Sequence, residues 1–125
     1  MKLQTPLARV LGLGSAREGV EHWWWQRVTA IALVPLSIWF VYSLLHLLGQ
    51  EQAVARSWLA SPINSSLALL FVLALFHHAQ LGVQVVIEDY VSNEGRRMLL
   101  VILVKFVVAF MLLLTILSIL KVSFS

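Results

Sequence analysis

Two adjacent histidines, His77 and His78, lie inside an uncharged run, and an Asp89–Tyr90 pair closes that run in the stretch FHHAQLGVQVVIEDY, residues 76–90. Imidazole nitrogens bind transition metals or carry protons, and a phenol beside a carboxylate offers a hydrogen-bond donor next to a charge. Apolar sequence that admits such groups needs a reason for them, because lipid penalises each one. In a helix, the neighbours above and below a side chain are four residues away. For His77 these are Leu73 and Leu81, both bulky; for His78 they are Ala74 and Gly82, both small. Small residues one turn to either side leave a flat slot beside the imidazole, which suits a porphyrin whose iron takes a ring nitrogen. His78 is therefore the better candidate haem ligand. A second reading stays open on this geometry, in which Ala74 and Gly82 serve close helix packing and the histidine bonds a neighbouring helix. His77 fits that structural role.

The other polar groups sort by depth. His46 differs from His78 by ~13 Å along the membrane normal at 1.5 Å per residue, too far for two ligands on one iron, and His22 is too shallow. A second axial histidine is thus expected from another polypeptide. Asp89 is 11 residues after His78, a rotation of ~20° from the same face and a rise of ~16 Å. With Tyr90 it reads either as a hydrated interfacial pair or as a mouth for an oxygen-rich redox headgroup such as a quinone, whose reduction takes up two electrons and two protons.

These residues must be held by membrane helices. Of the 125 residues, 60% are hydrophobic and 12% charged, too little polar surface for a soluble domain of this size. The expected fold is all-α: a single integral membrane domain, residues 1–125, with three transmembrane helices. The first uncharged run, residues 28–48, VTAIALVPLSIWFVYSLLHLL, rises ~31 Å as a helix and tolerates Pro35 within it. The second is expected at residues 65–87 and the third at 98–120, with a polar link after the first, a tight turn at Ser92–Gly95, and residues 1–27 as an arm. No cleavable secretory signal is expected, since the first apolar run is long and lacks a small-residue cleavage site.

Basic residues set the orientation. Lys2, Arg9, Arg17 and Arg27 lie in the arm and Arg96 and Arg97 in the second turn, against Arg56 in the first loop and Lys121 in the tail. The positive-inside rule puts the N-terminus in the cytoplasm and the C-terminus in the periplasm. Trp23, Trp24 and Trp25 would form the inner aromatic belt and Trp58 the outer one; Lys105 would snorkel to the inner face. The net charge of +3 sits at segment ends, which fits orientation in a bilayer and not nucleic-acid binding. With no cysteine, the chain holds neither disulfides nor iron–sulfur clusters.

The stretch HAQLGVQVVIEDYV, with glycine four residues after the histidine and Asp-Tyr at eleven and twelve, resembles the second-helix signature of the small hydrophobic membrane anchor of succinate dehydrogenase, respiratory complex II, in bacteria. The segment GSAREGVEHWWWQRVTAIALVPL is similar to the start of that anchor, where an arm leads into an Arg-x-Thr-Ala helix start. Together they cover about residues 12–91, and the third span matches only as an apolar helix.

The resemblance implies that His78 is an axial ligand of a haem b shared with a second, companion membrane anchor subunit. It implies that Tyr90 hydrogen-bonds a ubiquinone carbonyl beneath the iron–sulfur subunit, with Asp89 supporting that site. Arg27 and His22 would approach the haem propionates and Gly82 the haem itself; Ser15 is a polar position in the arm without an assigned role. Electrons would come from succinate through the flavoprotein and iron–sulfur subunits, in the tricarboxylic acid cycle, to a complex in the bacterial inner membrane. Two alternatives remain: an anchor of a quinol:fumarate reductase, the same assembly in reverse, and a helical scaffold or transporter subunit without redox chemistry.

Overall fold

The computed structural model describes the backbone of residues 15–125 and the side chains of residues 20–125. Lys2, Arg9 and the side chains of Ser15, Arg17 and Glu18 lie outside the described residues. Four helices follow in order: α1, Ser15–Leu47; α2, Gln52–Ala60; α3, Pro62–Tyr90; and α4, Glu94–Ser123. Three of them contain stretches long and apolar enough to cross a membrane, Val20–Leu47, Pro62–Tyr90 and Glu94–Ser123. At 1.5 Å per residue each of these rises more than ~40 Å, beyond the ~30 Å hydrocarbon core, so their ends stand among headgroups or water.

Each helix outruns the apolar run that announced it. Hydropathy marks where lipid begins, whereas helical hydrogen bonding continues until a residue breaks it. Residues 20–27, VEHWWWQR, contain neither glycine nor proline, so α1 continues through a stretch expected as part of an arm. Gly49 ends α1 at its other end, with φ of 79°, while the Leu48 and Gln50 amides donate to Leu44 and Leu47 carbonyls. That left-handed conformation is open to glycine without steric penalty. Pro62 occupies the first turn of α3, where its missing N–H is not needed. The Asn93 side chain accepts from the Arg96 amide at 3.0 Å and caps α4. Arg97 reinforces the turn by donating through Nε to the Val91 carbonyl at 3.1 Å.

The link after α1, expected as a short polar link, contains the nine-residue helix α2. It is amphipathic, and Trp58 stacks on Trp39 of α1 with ring centroids 5.5 Å apart. Asn64 of α3 donates to the Trp58 carbonyl at 3.0 Å, so α2 lies across the ends of the long helices.

Helix α3 is the middle of the molecule and packs on both α1 and α4. The buried apolar residues, Ala68, Val72, Leu81 and Ile87, all belong to it. No residue of α4 is buried. Lipid tails are as apolar as leucine, so an exposed leucine loses nothing there, and helices associate through packing and polar contacts instead. Phe40 of α1 stacks on Phe71 of α3 at 4.7 Å, and Thr29 and Ser43 are the buried polar residues.

Candidate functional site

Helical periodicity gives α1 two working faces toward α3. His22, Gln26, Thr29 and Ala30 recur one turn apart on one of them, and His78, Gly82 and Val85 recur the same way on α3. Where these stripes meet, a cavity of about 360 Å³ is lined by residues including His22, Gln26, Arg27, Ala30, His78 and Val85. Three residues expected to share a site are thus brought together: His78, His22 and Arg27. A Cβ built on Gly82 meets nothing within 4 Å, so this side of α3 stays open beside the imidazole. Thr29 is seven residues above His22, ~10 Å along the axis, which keeps His22 well below the level of the ring.

The His78 ring is held at one nitrogen. Its Nδ1 lies 3.0 Å from the Thr29 Oγ1. That hydroxyl also lies 2.7 Å from the Trp25 carbonyl oxygen and 3.2 Å from that of Gln26. An O···O contact at the shorter of these distances is a hydrogen bond and otherwise a repulsion, so the single hydroxyl proton is donated to the main chain. Thr29 can then only accept from the ring, and Nδ1 carries the hydrogen. Nε2 is left with its lone pair in the plane of the imidazole. Interhelical side-chain bonds in membranes contribute only on the order of 0.6 kcal/mol. The consequence of this one is orientation and tautomer more than stability.

Two residues that line the cavity each hold a polar atom shut off from the surface without a partner among the described residues: His22 Nε2 and Gln26 Oε1. Such atoms cost about 1–3 kcal/mol each when left unpaired, and none of the other described residues pairs them. Arg27 sits with its guanidinium 5.4 Å from the centre of the Trp23 ring, at the exposed rim. The residues gathered here, an imidazole on α3 with an imidazole and a guanidinium on α1, are of the types that could serve a metallocycle with acidic substituents.

His77 occupies a different place. It lines a larger groove of about 770 Å³ between α1, α3 and α4, together with Trp25, Ala32, Ala74 and Gln80. Its ring meets Trp25 edge-on at 5.5 Å. Ala74 thus lines the groove on the His77 side, while neither Ala74 nor Gly82 is among the residues that line the His78 cavity. The symmetric slot expected around His78 is absent, because a residue four positions back is offset by ~40° around the helix. His78 is distinguished instead by its bound Nδ1 and by the polar groups gathered beneath it.

Asp89 and Tyr90 end α3, and both are exposed, Tyr90 at 84%. They lie ~16–18 Å along the axis from His78 and are not among the residues that line its cavity. His46, exposed and edge-on to Tyr42 at 4.6 Å, belongs to the opposite end of α1. Lys105 is exposed on α4. Among the described residues no cluster of three or more His, Cys, Asp or Glu could hold a metal ion, so any metal here needs ligands from elsewhere. Thr29 and Gln26 do not stand out in the sequence. Their signal is the spacing His22–Gln26–Thr29, a polar stripe on an apolar helix, which becomes visible once α1 is known to start below residue 28.

Residues 1–114 match the model of the succinate dehydrogenase/fumarate reductase transmembrane subunit family. The chain is 40% identical over 99 residues to the succinate dehydrogenase hydrophobic membrane anchor subunit of Rickettsia bellii, covering 79% of each chain. It is 31% identical over 97 residues to the protein of the same name from Paracoccus denitrificans, covering 78% of this chain and 75% of that one. With the succinate dehydrogenase membrane anchor subunit of Reclinomonas americana it shares 29% identity over 92 residues, 71% of this chain and 77% of that one. Three apolar helices around a histidine-bearing middle span, with this extent of likeness, make the chain a member of the succinate dehydrogenase membrane anchor subunit family, a multi-pass inner-membrane component of a multisubunit oxidoreductase.

Proposed function

We propose that the chain supplies half of a haem b site and part of a ubiquinone-reduction site in a succinate:quinone oxidoreductase. The carrying observation is the cavity that His78 of α3 shares with His22 and Arg27 of α1, with the His78 ring held at Nδ1 by Thr29. His78 would ligate the iron, His22 and Arg27 would meet the propionates, and Gly82 leaves room for the ring edge. A second iron ligand would come from the companion membrane anchor, since the one other histidine of this chain at this depth, His77, lines a different groove. When bound, the haem supplies a one-electron couple between the two anchors.

Tyr90 and Asp89 do separate work at the end of α3. The Tyr90 hydroxyl donates a hydrogen bond to one quinone carbonyl, and Asp89 balances a neighbouring cation or passes a proton. Succinate loses two electrons and two protons to become fumarate in the flavoprotein subunit. Two electrons reach the quinone through the iron–sulfur subunit, and two protons from the aqueous side convert its carbonyls to hydroxyls. Buried, unpaired charge is costly at such a site, so proton uptake accompanies electron arrival. Exposure of both side chains in the single chain supports a site completed by other subunits.

The test is the absorption spectrum of the purified complex. His78→Ala is expected to lose the reduced b-haem band and His77→Ala to keep it; equal retention in both variants refutes the ligand assignment. Tyr90→Phe is expected to slow quinone reduction roughly tenfold while succinate oxidation with an artificial acceptor persists.

A further inference from the structure

We infer that Thr29 is a positioning residue for the metal-binding nitrogen of His78: a hydroxyl on the first span sets the tautomer of an imidazole on the second. The inference rests on the proposed haem ligation by His78. Thr29 is 6% exposed and its Oγ1 is surrounded by three partners. The Trp25 and Gln26 carbonyls at 2.7 and 3.2 Å draw its proton, and the Nδ1 of His78 at 3.0 Å faces its lone pairs. A threonine whose proton is already committed to its own helix is an obligate acceptor toward the neighbouring ring. An Nδ1 left without such an acceptor exchanges hydrogen with Nε2 freely, and the Nε2–H form cannot bind iron.

Two properties follow for the ligand. The ring is restrained in rotation, because the contact at Nδ1 ties it to α1 through the nitrogen that does not ligate. It is also a stronger electron donor, since a hydrogen bond at the distal nitrogen raises the basicity of the ligating one. Stronger donation favours the oxidised iron, so losing the bond raises the midpoint potential. Among the described residues no hydroxyl is hydrogen-bonded to His77, whose ring stands perpendicular to Trp25 at 5.5 Å.

The experiment compares the intact purified complex with Thr29→Val, which keeps shape and removes the acceptor, and Thr29→Ser, which restores it. Readouts are haem per flavin, haem loss rate in detergent, the α-band of the reduced haem, and its midpoint potential. Thr29→Val is expected to lose haem about tenfold faster and to raise the potential of what remains, with Thr29→Ser returning both toward the unaltered values. Should Thr29→Val fail to assemble, Thr29→Ala against Thr29→Ser gives the same comparison. Unaltered haem content, spectrum and potential in the valine variant overturn the inference, as does equal impairment in valine and serine variants. Absence of any b-haem from the unaltered complex overturns the parent reading of His78, and this one with it.

Discussion

An imidazole with one nitrogen engaged and the other bare differs chemically from its neighbour packed edge-on against an indole, though the two are adjacent in sequence. That difference separates His78 from His77 and is only half legible in the sequence. Spacing singles out His78 through Ala74 and Gly82, but Ala74 opens the groove on the other side. The polar stripe of His22, Gln26 and Thr29 begins on a stretch that hydropathy places before the helix, so its register cannot be counted there. At this scale Arg27→Gln is expected to weaken haem retention about tenfold, the equivalent of one charge-assisted hydrogen bond. His22→Phe, which fills the volume and removes the unpaired nitrogen, is expected to do the same. Haem per flavin in the washed complex checks both, and retention at the unaltered level in either variant would remove that side chain from the site.

The long helices are legible because uncharged runs of this length have few other uses. Their ends are legible in part: Gly49, Pro62 and the turn around Asn93 mark boundaries by backbone chemistry, whereas the extension of α1 before residue 28 is hidden from hydropathy. Helix α2 escapes notice for a related reason: nine residues carry too little periodicity, and its partner Trp39 is distant in sequence. Gly49→Ala is expected to cost about 1 kcal/mol from the left-handed backbone, read as earlier thermal inactivation of the detergent-purified complex. Trp58→Ala should speed amide exchange across residues 52–60 while leaving haem absorbance unchanged, because its stacking partner Trp39 is ten residues beyond Thr29 along α1. A change in the haem band would mean that α2 and the inner cavity are coupled through α1.

At the scale of the molecule, α3 joins two helices whose other faces lie open, and little of the chain is buried against itself. The basic residues predict which end meets the cytoplasm. Since the chain has no cysteine, single-cysteine variants read that directly: Gln52→Cys should react with a membrane-impermeant maleimide in intact spheroplasts, and Ser92→Cys only after permeabilisation. The opposite pattern would invert the assigned topology. The contact between Thr29 and His78 bridges 49 positions of the chain, which has a bearing on biogenesis. A nascent polypeptide cannot form it until the second hydrophobic segment has left the translocon and folded back on the first. If His78 holds iron as proposed, competence to capture it would be timed by membrane insertion, since a half-inserted precursor offers only a freely tumbling side chain.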